Sequence, residues 1–476
     1  MHHHRSAAPG SVAPRAFRIT RRTMLRGGLG ALGLGLLGVG NAVGRSLARA
    51  DAPTKRIVLV EMNGGWDMLL STDPRDPARS YDAIQLGTDL LDPAYQTPIS
   101  VTIGSGSFAR ATLLGSTTRG LTHHLDVLTL FRGVNMNTVA HPTGRAYMAT
   151  GISPAGSNAR GSSIGSALAN AWNTSPTPPL LPFVAMGTLA YNHDFPEAAS
   201  ALSLDAPADV GDLLTPRRST LSTDAALAHD LEAALVQART GSCIGAGYTA
   251  VDPDTGQALP SPVSSEQDVR DRITRVDASA LGARFDFSSR ADLVSLYGSG
   301  ITRSTSSPAL AAATAAQLIK DADAGDPAIS AAVSVLLGSG LDTHRDWATD
   351  QPAGLEPAFD ALGAMITDLR ATDPMLARTL VVVHSEFART GMLNGSLGRD
   401  HNFASSVMVF GGGLATGVFG ATGEQDLGIA SVDRTTGLPS ASGVVLTPED
   451  VYATLASALG LDPSVYRTTP LPLVPT

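Results

Sequence analysis

Short, almost wholly apolar runs recur along the chain: Arg56–Met62, Val127–Val134, Leu181–Met186, Ala331–Leu337, Thr379–Glu386 and Ser406–Gly412. None alternates polar with apolar, so each predicts a strand covered on both faces, the habit of parallel sheets. Between them the period changes. From Gly354 to Arg370, Leu355, Phe359, Leu362, Ile366 and Leu369 recur at steps of three and four, one apolar face of a helix. Near the end, Thr447 reads as an N-cap, Pro448 as N1 and Asp450 as N3, with Gly460 as the stop. Strands alternating with helices predict an α/β fold, a mostly parallel sheet sandwiched by helices. Residues from about 216 to 326 break this rhythm with Ala-, Arg- and Asp-rich helical patterns around a Gly/Pro-rich stretch. They read either as a helical insertion or as the cover of one sheet face.

The first 50 residues follow a different pattern. They hold eight Arg and no acid, then a Gly/Leu-rich run from Gly27 to Gly40, then Ala48-Arg49-Ala50. This is the layout of a cleavable export signal. Paired Arg21 and Arg22 before the apolar run match the twin-arginine form, so residues 51–476 are expected as an α/β domain in the periplasm or outside the cell. The apolar run is too short to span a bilayer, and no stable membrane span is expected after cleavage. His2 to His4 leave with the signal.

Composition narrows the function classes. The chain has 43 Asp and Glu against 34 Lys and Arg, and eight of those 34 lie before residue 51. The acidic remainder, with Lys only at positions 55 and 320, excludes a nucleic-acid partner. A single cysteine, Cys243, excludes an internal disulfide and a thiolate metal cluster.

Ligands of an open α/β sheet sit beyond the carboxyl ends of its strands. Three polar segments occupy such positions. Glu61, Asn63 and Asp67 follow the first strand. Asp342 and His344 follow the Ala331 run, and Glu386, Arg389, Asp400 and His401 follow the Thr379 run. Carboxylate and imidazole together suit Zn or another divalent transition ion, while turn capping and solvated loops are the plainer reading of each segment alone. In "NTVAHPTGRAYMATG", Pro142 and Gly144 set up a turn and Arg145 a helix start. Arg145 would clamp an anion there, with Thr143 or His141 as nucleophile or acid/base; a helix cap with a surface Arg is the alternative. His384, inside the Val strand, reads as a satisfied core histidine.

These segments resemble the alkaline phosphatase, sulfatase and cofactor-independent phosphoglycerate mutase superfamily, and within it an exported, functionally uncharacterised bacterial family with a twin-arginine signal, a "SEFGRT"-like strand end and a "GRDH" loop. The resemblance places Glu386 on a metal-binding Asp, Phe387 on a metal-binding His and His401 on a later metal-binding His. "HPTGRAYMATG" is similar to the sulfatase stretch around the formylglycine cysteine and puts His141 at that cysteine. With Phe387 at a metal-binding His position a two-metal site is short of ligands, so one divalent metal, Zn or Mn, is expected, held by Asp342, His344, Glu386 and His401 with Asn63 or Asp67; the resemblance implies hydrolysis of an anionic phosphate or sulfate ester. Phe387 and His141 depart from that pattern, which keeps a second expectation open: a non-catalytic member that binds a periplasmic or cell-surface partner.

Overall fold

The computed structural model describes residues 55–175, 178–214, 280–302, 307–321, 329–372 and 374–474. The export segment, Cys243 and most of the expected insertion at about 216–326 lie outside the described residues.

The sheet has eight strands: β1 (Arg56–Met62), β2 (Leu128–Asn135), β3 (Phe183–Met186), β4 (Leu202–Leu204), β5 (Ala332–Gly338), β6 (Thr379–His384), β7 (Ala404–Gly411) and β8 (Gly417–Gly420). They lie in the order β8-β2-β7-β6-β1-β5-β3-β4. β1 runs parallel to both β5 and β6, while β7 runs antiparallel to its neighbours β6 and β2. β7 is thus the single reversed strand of a mostly parallel sheet. The short β4 and β8 were not expected from the apolar runs, and β6 stops at His384, before Glu386.

Both faces of the sheet are covered, which explains the continuous apolar runs. In β1, Val58, Val60 and Met62 enter one core, shared with α3 (Pro308–Ile319) and α4 (Trp347–Ala371). Ile57 and Leu59 enter the other, shared with α1 (His141–Thr150), α2 (Ile164–Asn173) and α5 (Pro448–Ala458). The period of two in β1 thereby splits one buried strand between two cores. Within the described residues, α3 packs on the sheet beside α4. Among the described residues no helix is long and apolar enough to cross a membrane.

Helix α4 begins at Trp347, earlier than the apolar period indicates. Its first turns are buried through polar contacts instead: Gln351 donates to the carbonyls of Gly65 at 3.1 Å and Leu341 at 2.8 Å, and accepts from Asp67 N–H at 3.1 Å. Helix α5 starts as expected, with the Asp450 carboxylate accepting from Thr447 N–H at 3.0 Å in a capping box.

Candidate metal centre

Because β1, β2, β5 and β6 run the same way, the segments that leave their carboxyl ends open on one edge of the sheet. The segment after β2 leads into α1 and delivers His141 at its first turn. The segment after β5 carries Asp342 and His344, and that after β6 carries Glu386 and His401. His401 is fixed by a short antiparallel ladder in which His401 pairs with Arg389 and Asn402 with Ala388.

His141, Asp342 and His401 bring their ligand atoms within 4.8 Å of one another. His141 Nε2 lies 3.4 Å from Asp342 Oδ2, and His401 Nε2 lies 3.2 Å from Asp342 Oδ1. His344 joins them, its Nε2 3.2 Å from Asp342 Oδ1 and 2.9 Å from His401 Nε2. Ligands about 2.0–2.1 Å from a tetrahedral ion stand about 3.3 Å apart. The observed spacings fall around that value.

The far nitrogens of the three rings decide how the near ones are presented. His141 Nδ1 donates to Glu386 Oε1 at 2.8 Å, His344 Nδ1 to Asp400 Oδ1 at 2.7 Å, and His401 Nδ1 to the Val139 carbonyl at 2.6 Å. Carboxylates and carbonyls only accept, so each Nδ1 carries the hydrogen and each neutral ring turns a bare Nε2 lone pair inward. Lone pairs facing one another beside a carboxylate repel unless a cation or a proton lies between them. His141 Nε2 is buried and has no hydrogen-bond partner. The donor set therefore fits a divalent transition ion.

Charge and burial set the proton affinities. The hydrogen bond to Glu386 raises the His141 pKa despite partial burial, whereas burial lowers that of His401. Burial alone would raise Asp342, but the hydrogen bond from Arg389 and its positive charge outweigh it and hold the carboxyl below its usual range. Asp342 is thus an anion under ordinary conditions. Arg389, fully buried, donates to Asp342 Oδ1 at 2.7 Å, to Gly65 O at 2.9 Å, to Arg399 O at 3.0 Å and to Gly64 O. It binds the loop after β1 to the ligand carboxylate. That loop packs so closely that a Cβ on Gly64, at φ +119°, would stand 2.5 Å from Asp342 N.

Several expected roles are corrected. Glu386 is not in the ring of ligand atoms: its Oε1 also accepts from Gly64 N–H at 2.9 Å and its Oε2 from Ser385 at 3.0 Å, so the carboxylate lies behind His141. His141, expected as nucleophile or acid/base, stands among the ligand atoms instead. Asp67 is consumed in the core, accepting from Leu69 N–H at 2.7 Å and Trp347 Nε1 at 2.5 Å and pairing with Arg399 at 3.1 Å. Asn63 is held through its backbone, its N–H on Gly338 O and its carbonyl accepting from Leu341 N–H. Arg145 is neutralised by Glu61 at 2.7 Å and is no free anion clamp. Helix α1 starts at His141 rather than Arg145, which leaves Thr143 half-buried within its first turn. His384 is buried, but its Nδ1 has no partner, and burial lowers its pKa to about 4. Phe387 lies against the rings of His141 and His401, with centroids 4.8 and 4.3 Å away, as an apolar wall. The support given by Arg389 and Val139 was missed; Asp400, beside His401 in "GRDHN", was visible but had no role.

A family described as proteins of unknown function, DUF1501, matches residues 294–471. No curated protein matches the chain. Among solved structures, a sulfatase from glycosaminoglycan metabolism in Bacteroides thetaiotaomicron is similar at 10% identity and a TM-score of 0.32, covering 87% of this chain and 74% of that one. The alkaline phosphatase of the Antarctic bacterium TAB5 is similar at 11% identity and a TM-score of 0.25, covering 76% of this chain and 93% of its own. A variant of that phosphatase with Mg bound gives 12% and 0.28, covering 76% and 92%. At these identities no residue role passes from those proteins to this chain.

Proposed function

We propose that His141, Asp342 and His401, with His344 as a fourth donor, hold one divalent metal, Zn or Mn, and that the protein is a metal-dependent hydrolase of phosphate or sulfate esters. The observation that carries this reading is the set of three imidazoles, each with its Nδ1 hydrogen held by an acceptor and its Nε2 directed toward Asp342. A bound divalent ion would supply Lewis acidity, polarising an ester oxygen and acidifying water near neutral pH. The chain's own groups do the rest. Glu386, Asp400 and the Val139 carbonyl fix the ring tautomers; Arg389 fixes Asp342; Phe387 keeps water from the inner side of His141 and His401. Side chains of Asp342 and His344 are 50% and 44% exposed, so an ester from solvent reaches the cluster. Export through the twin-arginine route to the periplasm or the cell exterior belongs to the same proposal, resting on Arg21, Arg22 and the apolar run behind them.

A second reading is favoured by the pairing of Arg145 with Glu61, which removes the expected anion clamp. On it the protein binds a periplasmic or cell-surface partner without turnover. Hydrolysis of aryl phosphates and aryl sulfates by Zn- or Mn-loaded protein separates the two. Turnover lost in His401→Ala is expected. No turnover with any reloaded metal would leave the binding reading.

A further inference from the structure

The described residues include ten large apolar side chains left exposed, and four of them, Val139, Met392, Leu397 and Phe403, lie on the two segments that also carry His141 and His401. Exposed apolar residues scattered singly need no explanation; concentration around one site does. Val139 is 37% exposed while its carbonyl holds His401, and Phe403, 48% exposed, follows His401 by two positions. The two stretches are tied together, for Phe403 O also accepts from Met136 N–H at 2.9 Å. In the loop before Asp400 and His401, Leu397 is 56% exposed, and an isolated bridge pairs it with Arg345, the neighbour of His344. Asn394 pins this loop by donating to His344 O at 2.9 Å and Asp400 Oδ1 at 3.0 Å. Leu397 also adopts φ +58°, a left-handed backbone that a leucine disfavours. Neither burial nor backbone preference explains a leucine there. Its backbone bridge to Arg345 does set it next to the segment that carries His344.

We infer that the substrate is amphipathic: an anionic head directed to the His/Asp cluster and an alkyl or aryl portion laid on Val139, Leu397 and Phe403. This rests on the metal reading above. The rim is open and lies on loops, so it fits a small hydrocarbon group attached to the reacting anion.

The test uses the full mature chain and two titrations. Calorimetry first measures Zn uptake by metal-free protein; ethyl-, hexyl- and decylphosphonate are then titrated into the Zn-loaded form. Burying methylenes on the rim is expected to tighten binding by about ten-fold or more from ethyl to decyl. The double variant Leu397→Ser/Phe403→Ser, altered only at exposed positions, is expected to lose most of that gain, with Zn uptake measured alongside. Normal Zn uptake with equal affinity for all three phosphonates would overturn this inference alone, as would a chain-length gain undiminished in the variant. No Zn uptake would overturn the metal reading and this inference with it.

Discussion

Glu386→Gln changes one group of the centre at nearly constant volume. The wild-type carboxylate, 1% exposed, accepts from His141 Nδ1 at 2.8 Å and from Gly64 N–H at 2.9 Å. An amide oxygen can still accept one of these bonds, so the fold is retained, but the negative charge behind the imidazole is gone. That charge makes His141 a stronger donor and fixes which nitrogen faces inward. Outer partners of this kind are worth about 10- to 100-fold in metal affinity, or about 1.4–2.7 kcal/mol. Asp400→Asn is the internal comparison. Asp400 holds His344 at a similar distance, but its side chain is 56% exposed against 0% for Glu386. Water screens it and replaces the lost bond, so its effect is expected near or below ten-fold. The assay is competition for Zn against a chromophoric chelator at fixed pH and ionic strength. Equal affinities for wild type and Glu386→Gln, or a larger loss in Asp400→Asn, would refute the assignment of Glu386 as the partner that orients His141.

Three further outcomes are expected. Asp67→Ala leaves Arg399 buried without its carboxylate and is expected to cost about 3–5 kcal/mol in chemical denaturation, while metal stoichiometry stays at the wild-type value; loss of metal without loss of stability would return Asp67 to the ligand set. Arg389→Met is expected to destabilise by a similar amount and to weaken metal binding as well, because Asp342 and the Gly64–Gly65 loop lose their common donor; the same two titrations check it. Burial raises the Asp321 carboxyl, but hydrogen bonds and charge from Arg56 and Arg378 outweigh it and leave its pKa below the usual value. Its contribution to stability is therefore present above about pH 4 and lost as pH falls through the folded value. Asp321→Asn is expected to flatten the acid limb of stability against pH, and an unchanged limb would count against the pairing.

Much of the scaffold was legible because its physics is local. A strand buried on both faces must be mostly apolar, and β1, β5 and β6 are, with their polar residues mainly at the ends. Thr447, Pro448 and Asp450 announce the start of α5 through capping chemistry alone. The start of α4 was not legible, since Gln351 is buried by long-range hydrogen bonds that no period records. At the site, Asp342 and His344 stood out as polar groups shortly after a strand, and His401 as part of the polar loop that follows the Thr379 run. What sequence spacing does not carry is which atom of each residue points where. Glu386 lies next in sequence to Ser385 and Phe387 on a strand end, yet its carboxylate turns toward His141, which comes from a segment more than 200 residues earlier. Asp67 looked equally suited to a metal, and only the Trp347 and Arg399 contacts reveal its use in the core. Arg389 and Arg399 read as loop charges and are fully buried, because backbone carbonyls of neighbouring loops need donors.

The central claim is the convergence of His141, Asp342, His344 and His401 on one ion. Zn-edge X-ray absorption of the metal-loaded protein tests it most directly. The account predicts about one Zn per chain with a shell of nitrogen and oxygen at about 2.0–2.1 Å, carrying the outer-shell scattering of two or three imidazoles. A shell without imidazole scattering, or no retained Zn after reloading, would contradict it.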